Sequence, residues 1–511
     1  MNCVCGLVAQ SRRCPLHHPH SAPLPISGLA LAFALVLCAG PLIAQQSTQQ
    51  ATPQPPASQV QSTPSAQQQP GAGAQLQTGT ASGLNTDARL LNLLADHQFS
   101  LIQAQLGHLP PEEAQFYRGI LANRSNDLKD SIQLLSPLVD PVTASGDVAH
   151  EKLLRMALAQ DYLRLGDWSE AATAYQTLDT RLHAKLSPDE LNQIEMPLKM
   201  LPLAVNNPPM TVDPCEPFRL QVTDDPLGLI DIPVFIDASS HTWMLDPTLP
   251  FNLISRSSAR EVGLSISDQA ATIRTLTGRP IQVHDTVIPR FTIGGRLTLR
   301  NMTAFVFDDA DYYFPHSGYH VEGVLGYPAL AAMGRLTVGD NAIQVDPGKE
   351  IEASVDHDRL NKGARFYLDG DQIIVALRAA PDPVAASPHD APADASSSTG
   401  DRMFAIDAGS QQTYLTSRYF DEHAAEFNRQ KTVQFSFPGE EFPPQPAYVA
   451  ETVPLRVGGV TIDLHYVSVL TQPLGSAAHD DVYGILGIDA LDQLTSYTFD
   501  YRTMRFSASG D

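Results

Sequence analysis

Two aspartates are the residues of this 511-residue chain whose placement could carry chemistry. Asp246 ends the apolar segment 242–245, and Asp407 ends a similar segment, 403–406. A turn follows each aspartate, and the chain then returns in a β-branched or aromatic segment. Because carboxylates can give and take protons in general acid–base catalysis, both side chains are candidate catalytic groups.

The two aspartates belong to a longer internal repeat. Several matches at one offset, in the same order along the chain, predict a duplicated β-rich lobe. Gly326 and Gly487 would let a strand pass close to each aspartate turn, since glycine has no side chain to block the approach. One offset of 161 residues relates Asp246 to Asp407, Gly278 to Gly439, and Leu325-Gly326 to Leu486-Gly487.

This repeated arrangement resembles the retropepsin and pepsin family of aspartic peptidases. In that family an Asp-Thr/Ser-Gly turn follows an apolar strand, and an apolar-apolar-Gly strand follows later. The resemblance covers about residues 218–507, and it implies an all-β acid-protease fold of two lobes. The glycines Gly278 and Gly439 would then be the tips of flaps over a cleft.

The resemblance also implies a chemistry. Asp246 and Asp407 would meet over one water and share one proton, because two adjacent carboxylates cannot both ionise easily. The ionised carboxylate would take a proton from the water, and the protonated one would polarise the peptide carbonyl. Such a site needs no metal or organic cofactor, acts on a peptide or protein substrate, and works below neutral pH.

The turns depart from the family pattern. Pro247 has no N–H to donate, and Thr248 stands where the family has glycine. Ala408 lacks the hydroxyl that braces the two turns, although Gly409 and Ser410 keep small residues. Two hypotheses stay open: an aspartic endopeptidase, or a catalytically inactive peptide-binding or scaffold protein. A third has each lobe pairing with a lobe of another chain.

Residues 84–205 have a helical pattern, with apolar residues at three- and four-residue spacing. Around the Gly166-Asp167-Trp168 turn, small and large residues alternate in a way that resembles tetratricopeptide repeats. An ordinary pair of helical hairpins is the alternative. Such repeats could dock a protein partner.

The chain begins with a predicted export signal or membrane anchor over residues 1–44, because two arginines precede the apolar run 26–44. A periplasmic or secreted location follows from it. A disordered linker rich in Gln, Pro and Ser is predicted over 45–83. The two lobes are predicted at 216–350 and 351–511, the second with a disordered insertion at 380–401.

Charge and cysteine content exclude some classes of function. A formal net charge of -23 disfavours binding to the phosphate backbone of nucleic acids. Four of the five cysteines lie in the first forty residues, and Cys215 is the one in the body of the chain. A disulfide scaffold and a cysteine-based zinc site are therefore excluded, and no metal site is predicted.

Overall fold

The computed structural model describes residues 80–226, 228–274, 280–314, 318–339, 341–348, 363–370, 372–379, 401–408, 412–436, 444–457, 460–473 and 481–509. Its first part is helical, as the periodicity predicts. The helices are α1 (Thr80–Ala95), α2 (Phe99–Gln105), α3 (Pro111–Arg124), α4 (Leu128–Leu135), α5 (Val139–Ser145), α6 (Val148–Leu165), α7 (Trp168–Leu182) and α8 (Pro188–Ala204), with 3-10 turns at Leu106–His108, Ser136–Leu138 and His183–Lys185.

The α6–α7 connection follows the predicted turn. Gly166 ends α6 with a φ of 72°, and the Asp167 carboxylate then accepts the backbone N–H of Glu170 to cap α7. This pattern fits helical hairpins of any kind, so the tetratricopeptide-like character stays a prediction. Helix α1 begins at Thr80, inside the segment predicted to be linker.

The rest of the described chain is β-rich. The first copy contains β1 (Thr211–Val212), β2 (Phe218–Gln221), β3 (Thr223–Asp224), β4 (Ile230–Ile236), β5 (Ser239–Leu245), β6 (Asn252–Ser255), α9 (Arg256–Glu261), β7 (Ala271–Arg274), β8 (Pro280–Ile293), β9 (Leu297–Phe307), a 3-10 turn (Asp309–Tyr312), β10 (Tyr313–Phe314), β11 (Tyr319–His320), β12 (Gly323–Leu325), α10 (Tyr327–Met333), β13 (Arg335–Gly339) and β14 (Ala342–Asp346).

The second copy repeats most of this order within the described residues, without counterparts of β1 and the β10–β11 hairpin. It contains β15 (Ala364–Asp369), β16 (Gln372–Ala379), β17 (Asp401–Ile406), β18 (Tyr414–Leu415), α11 (Ser417–Phe427), β19 (Val433–Phe435), β20 (Gln445–Val457), β21 (Val460–Leu470), β22 (Gly484–Leu486), α12 (Ile488–Leu491), β23 (Ser496–Asp500) and β24 (Arg505–Ser509). Strand β17 begins at Asp401, so the predicted insertion ends one residue too late.

The strands form two large sheets and one small hairpin, β10–β11. The first sheet has the order β1-β9-β6-β12-β5-β4-β8-β7, with β3 beside β4. The second has the order β19-β20-β21-β18-β22-β17-β16-β15-β24-β23-β13-β14-β2. Strands β2, β13 and β14 of the first copy therefore lie in the second sheet, and they join the two copies through backbone hydrogen bonds.

An approximate two-fold axis passes between β13 and β23. These strands pair antiparallel, and Thr337 lies directly opposite Thr498, 161 residues later. The two hydroxyl oxygens are 2.8 Å apart. Two equivalent residues of the copies, 161 positions apart in the sequence, therefore face each other where the copies meet.

The helical region packs against both copies, and α6 lies between the two contacts. Its residues Leu154 and Leu158 join an apolar cluster with Met403, Tyr414 and Ile485 of the second copy. Residues on the other side of α6, Met156, Ala159 and Leu163, join a cluster with Phe251, Leu253, Phe305 and Val324 of the first copy. Within the described residues, α3 contacts β15 of the second copy, and α8 contacts β7 and β8 of the first.

Charged groups reinforce the contact with the second copy. The Arg124 guanidinium is 2.9 Å from an Asp369 carboxylate oxygen, and His97 Nδ1 is 3.4 Å from the other. His97 Nε2 lies 2.8 Å from Asp481. Burial would lower the pKa of His97, but the two carboxylates raise it to about 9. Burial would raise the pKa of Asp369, but Arg124 and His97 lower it to about 2.

None of the helices in the described ranges is long and apolar enough to cross a membrane. The predicted signal or anchor, most of the predicted linker, and the predicted insertion up to residue 400 lie outside those ranges.

Candidate functional site

Asp246 and Asp407 occupy the same backbone position in the two copies. Strand β12 runs parallel to β5 with Leu325 opposite Leu245, and β22 runs parallel to β17 with Leu486 opposite Ile406. The Asp246 N–H donates to the Leu325 carbonyl at 3.0 Å. The Asp407 N–H donates to the Leu486 carbonyl, also at 3.0 Å. Each aspartate is therefore fixed where its strand leaves the sheet.

The Asp246 carboxylate is held by its own turn. One carboxylate oxygen accepts the Thr248 backbone N–H at 3.0 Å and the Thr248 hydroxyl at 2.6 Å. Burial raises the pKa of Asp246, and these hydrogen bonds partly oppose the rise. The φ of Thr248 lies outside the left-handed region, so threonine fits without strain where the family pattern has glycine.

Gly326 lets β12 pass against the Asp246 turn. A Cβ at this position would lie 2.0 Å from the Phe251 carbonyl oxygen and 2.6 Å from that of Leu249. Both are backbone atoms, so a side chain would have to displace the turn. The Gly326 N–H also donates to the Asn252 amide oxygen at 3.1 Å, which ties the passing strand to the start of β6.

The second copy makes the same tie with a different side chain. The Gly487 N–H donates to the Thr413 hydroxyl oxygen at 2.9 Å, and that hydroxyl in turn donates to Asp489 at 2.6 Å. Ala408 is half-buried and packs against the β core. Its methyl group offers no hydrogen bond to the other turn.

Three residues near the first turn were not predicted as site residues. The Tyr327 hydroxyl donates to the Asn126 side-chain oxygen at 2.8 Å, so the α3–α4 connection reaches the residue after Gly326. The Tyr327 and Tyr501 rings lie 6.1 Å apart. Burial is the main cause that raises the pKa of Tyr501, and the nearby Tyr327 and Asp246 raise it further. Tyr327 could have been found from the sequence because it directly follows the Leu325-Gly326 pair. Tyr501 and Asn126 lie in no repeated motif, so the sequence does not mark them.

Four other predicted site residues lie outside the described ranges. Gly409 and Ser410 follow Ala408 in the second turn, and Gly278 and Gly439 are the predicted flap tips. Strands β7 and β8 pair antiparallel up to Arg274 opposite Pro280, on either side of the segment that contains Gly278.

One group of side chains in the described ranges has the composition of a metal site, namely Asp87, Asp147 and His150. His150 Nε2 is 3.1 Å from Asp87, and Nδ1 is 2.9 Å from Asp147. Both ring nitrogens are thus engaged with carboxylates, and the Tyr117 hydroxyl donates to Asp87 at 2.7 Å. Ion pairing and hydrogen bonding account for this group.

Residues 232–329 match the family model described as aspartyl protease. A retropepsin-like aspartic protease from Rickettsia conorii is 14% identical over 26% of this chain and 94% of its own, with a TM-score of 0.20. Basic 7S globulin from soybean is 12% identical over 58% of this chain and 97% of its own, with a TM-score of 0.35. No curated protein matches the chain in sequence.

The family match covers the first aspartate turn, strand β12 and the start of α10. The chain thus combines a helical N-terminal region with a β-rich region, and residues 232–329 of the β-rich region are similar to the aspartyl protease family.

Proposed function

We propose that this protein is an aspartic-type endopeptidase in which Asp246 and Asp407 act as one catalytic dyad. The observation that carries the proposal is the identical backbone placement of the two aspartates. Each donates its N–H to the leucine carbonyl of a parallel Leu-Gly strand at 3.0 Å, 161 residues apart. Two copies of one carboxylate-bearing turn are what a two-lobed aspartic site requires.

In the proposed reaction the ionised carboxylate removes a proton from a water molecule. The water oxygen then bonds to the peptide carbonyl carbon, while the protonated carboxyl donates its proton to the carbonyl oxygen. When the C–N bond breaks, the carboxyl that took the proton from water gives it to the departing amine nitrogen, and one hydroxyl of the tetrahedral intermediate returns its proton to the other carboxylate as the carbonyl forms again. The two carboxyl groups titrate as a pair.

Asp246 fits the protonated role, since burial raises its pKa. We expect activity to fall as the pH rises through the titration of the pair, because the reaction needs one proton on it. The substrate is a peptide or protein.

The test is cleavage of an unfolded protein substrate from about pH 3 to about pH 7. We expect Asp407→Asn and Asp246→Asn each to lower kcat/KM by about a thousandfold or more, the scale of a lost acid or base. Asp463→Asn is the matched control, because Asp463 is exposed on β21 and lies in neither turn. Cleavage that survives both dyad substitutions would contradict the proposal.

The second candidate function is peptide binding without cleavage. Thr248 donates two hydrogen bonds, from its N–H and its hydroxyl, to one carboxylate oxygen of Asp246. Ala408 contributes no hydroxyl to brace the turns. Under this alternative the wild type binds the test substrate, measured by fluorescence anisotropy, and leaves it intact at every pH.

We also propose that the protein is exported, on the basis of the charged and apolar pattern in residues 1–44. Fusion of these residues to a reporter that is active outside the cytoplasm tests this proposal. Docking of a protein partner on the helical region is a further proposal, and it must use helix surfaces that do not contact the β region.

A further inference from the structure

A large cavity lies between part of the helical region and the second copy. Its volume is about 1630 Å³. Helices α3 and α4 line one wall, and β15, β16, β20 and β24 line the other. Neither Asp246 nor Asp407 is part of the lining.

The sheet wall of this cavity carries arginines in two cross-strand pairs. Arg365 of β15 lies directly opposite Arg505 of β24, and Arg378 of β16 lies directly opposite Arg456 of β20. All four line the cavity. Like charges directly opposite each other destabilise a sheet, so the stability of the fold does not explain why Arg365 faces Arg505.

Neutral groups supply the contacts of the first pair. Arg365 donates to the Ser125 hydroxyl oxygen at 3.1 Å and lies over the Tyr367 ring, 5.5 Å from its centroid. Arg505 donates to the Gly363 carbonyl at 3.4 Å. Burial and then the Arg365 charge lower the pKa of Arg505. Within the described residues, no carboxylate is in ion-pair contact with Arg365, Arg456 or Arg505.

The opposite wall limits which anion could enter. Asp127, Asp130 and Arg118 all line that wall. Burial is the main cause that raises the pKa of Asp127, and the Asp130 charge raises it further. These carboxylates and the chain's net charge of -23 disfavour a nucleic acid, whose charge is dense and continuous, more than a short peptide whose carboxylates are spaced by apolar side chains. Apolar side chains complete the lining, among them Phe99, Leu121 and Met403.

We propose that this cavity binds an acidic peptide segment of a partner or substrate protein. Its carboxylates would lie between the paired arginines, which form charge-assisted hydrogen bonds with carboxylates. Its apolar side chains would pack against the helix wall. The surface is distinct from the aspartate turns, so the proposal holds whether or not the chain cleaves peptides.

The test uses the full chain carrying Asp407→Asn, so that cleavage does not interfere. The probe is a fluorescein-labelled dodecapeptide of alternating glutamate and leucine, with a glutamine-for-glutamate peptide as its neutral counterpart. We expect the neutral peptide to bind at least about tenfold more weakly by fluorescence anisotropy, and added salt to weaken the acidic peptide.

The double substitution Arg365→Gln and Arg505→Gln should weaken binding of the acidic peptide about tenfold or more. Arg456→Gln tests the second pair by itself. The matched control is Arg260→Gln with Arg296→Gln, which removes two charges from exposed positions outside the cavity. The affinity of that control for the acidic peptide should stay within about twofold of the affinity of the chain that carries Asp407→Asn alone. Salt screens charges that lie far from the bound peptide.

Both cavity variants should have an unchanged or higher thermal unfolding midpoint, because each relieves a like-charged pair, and this measurement checks that they fold. Equal binding of the acidic and neutral peptides would overturn the proposal. So would unchanged binding in both cavity variants, or tighter binding of a single-stranded oligonucleotide than of the acidic peptide.

Discussion

The two copies of the β lobe share a backbone arrangement but hold it with different side chains. In the first copy Asn252 accepts the N–H of Gly326, and Thr248 binds the Asp246 carboxylate. In the second copy Thr413 accepts the N–H of Gly487 and is held by Asp489. The passage of a Leu-Gly strand behind an aspartate turn is thus retained, whereas the hydrogen bonds that secure it differ.

The copies also differ in how they meet the helical region. The first copy meets it through apolar and aromatic side chains, such as Trp168 and Phe251 with ring centroids 6.3 Å apart. The second adds the charges of buried His97, buried Arg124 and half-buried Asp369 to an apolar contact. Apolar contacts change little with pH, so pH should act mainly on the second contact.

The largest effect should come from breaking the strand passage in the first copy. Gly326→Ala would place a methyl group 2.0 Å from the Phe251 carbonyl oxygen. We expect the free energy of unfolding to fall by about 3 kcal/mol or more, as for severe overpacking. Urea unfolding measures it. Gly107→Ala is the control, because its Cβ would meet no atom within 4 Å.

Removal of a charge from the second contact comes next. Asp369→Asn leaves Arg124 and His97 without their shared carboxylate. We expect the free energy of unfolding to fall by about 2 kcal/mol, below the range for fully buried pairs because Asp369 is partly exposed. Asp421→Asn, an exposed position on α11, should change it little. Equal effects of the two substitutions would contradict the asymmetry between the contacts.

The pH dependence of stability sharpens the same comparison. Because the pKa of His97 is raised from 6.5 to about 9, its contribution is complete below pH 6.5 and is lost as the pH rises towards 9. Because the pKa of Asp369 is lowered from 3.8 to about 2, its contribution is complete above pH 3.8 and is lost below it.

His97→Gln should therefore remove a loss of stability between pH 6.5 and about 9. The difference in slope should reach up to about 1.4 kcal/mol per pH unit, which corresponds to one proton. Urea unfolding of both proteins at a series of pH values measures it. Parallel curves for wild type and variant over this interval would show that His97 does not titrate there.

The smallest effect should come from the Asp246 turn. Thr248→Ala removes the hydroxyl bond to the carboxylate while the backbone N–H bond can remain. We expect a loss of about 1 kcal/mol in the free energy of unfolding and a further rise in the pKa of Asp246, followed by carbon-detected NMR. Thr248→Ser keeps a hydroxyl and should restore both. A pKa of Asp246 that is equal in all three proteins would contradict the role of the hydroxyl.

Much of the fold could be predicted from local pattern. The helical spacing before residue 205, the Gly-Gly turn between β8 and β9, and the shared offset all follow from residues close to one another in sequence or from self-similarity. Gly294 and Gly295 have φ values of 58° and 66°, which explains two glycines at that turn. Pro247 and Thr248 depart from the family pattern of this turn, and in the structure the N–H and hydroxyl of Thr248 donate to the Asp246 carboxylate.

The sequence by itself determined that the chain repeats an apolar strand, an aspartate and a Leu-Gly pair. Periodicity and self-similarity are local properties, so one chain is enough to find them. Only the tertiary structure decided what surrounds them: Asn126 beside Tyr327, His97 beside Asp369, and Arg365 opposite Arg505. These pairs depend on which distant strands become neighbours in a sheet, and spacing along the chain does not encode that choice.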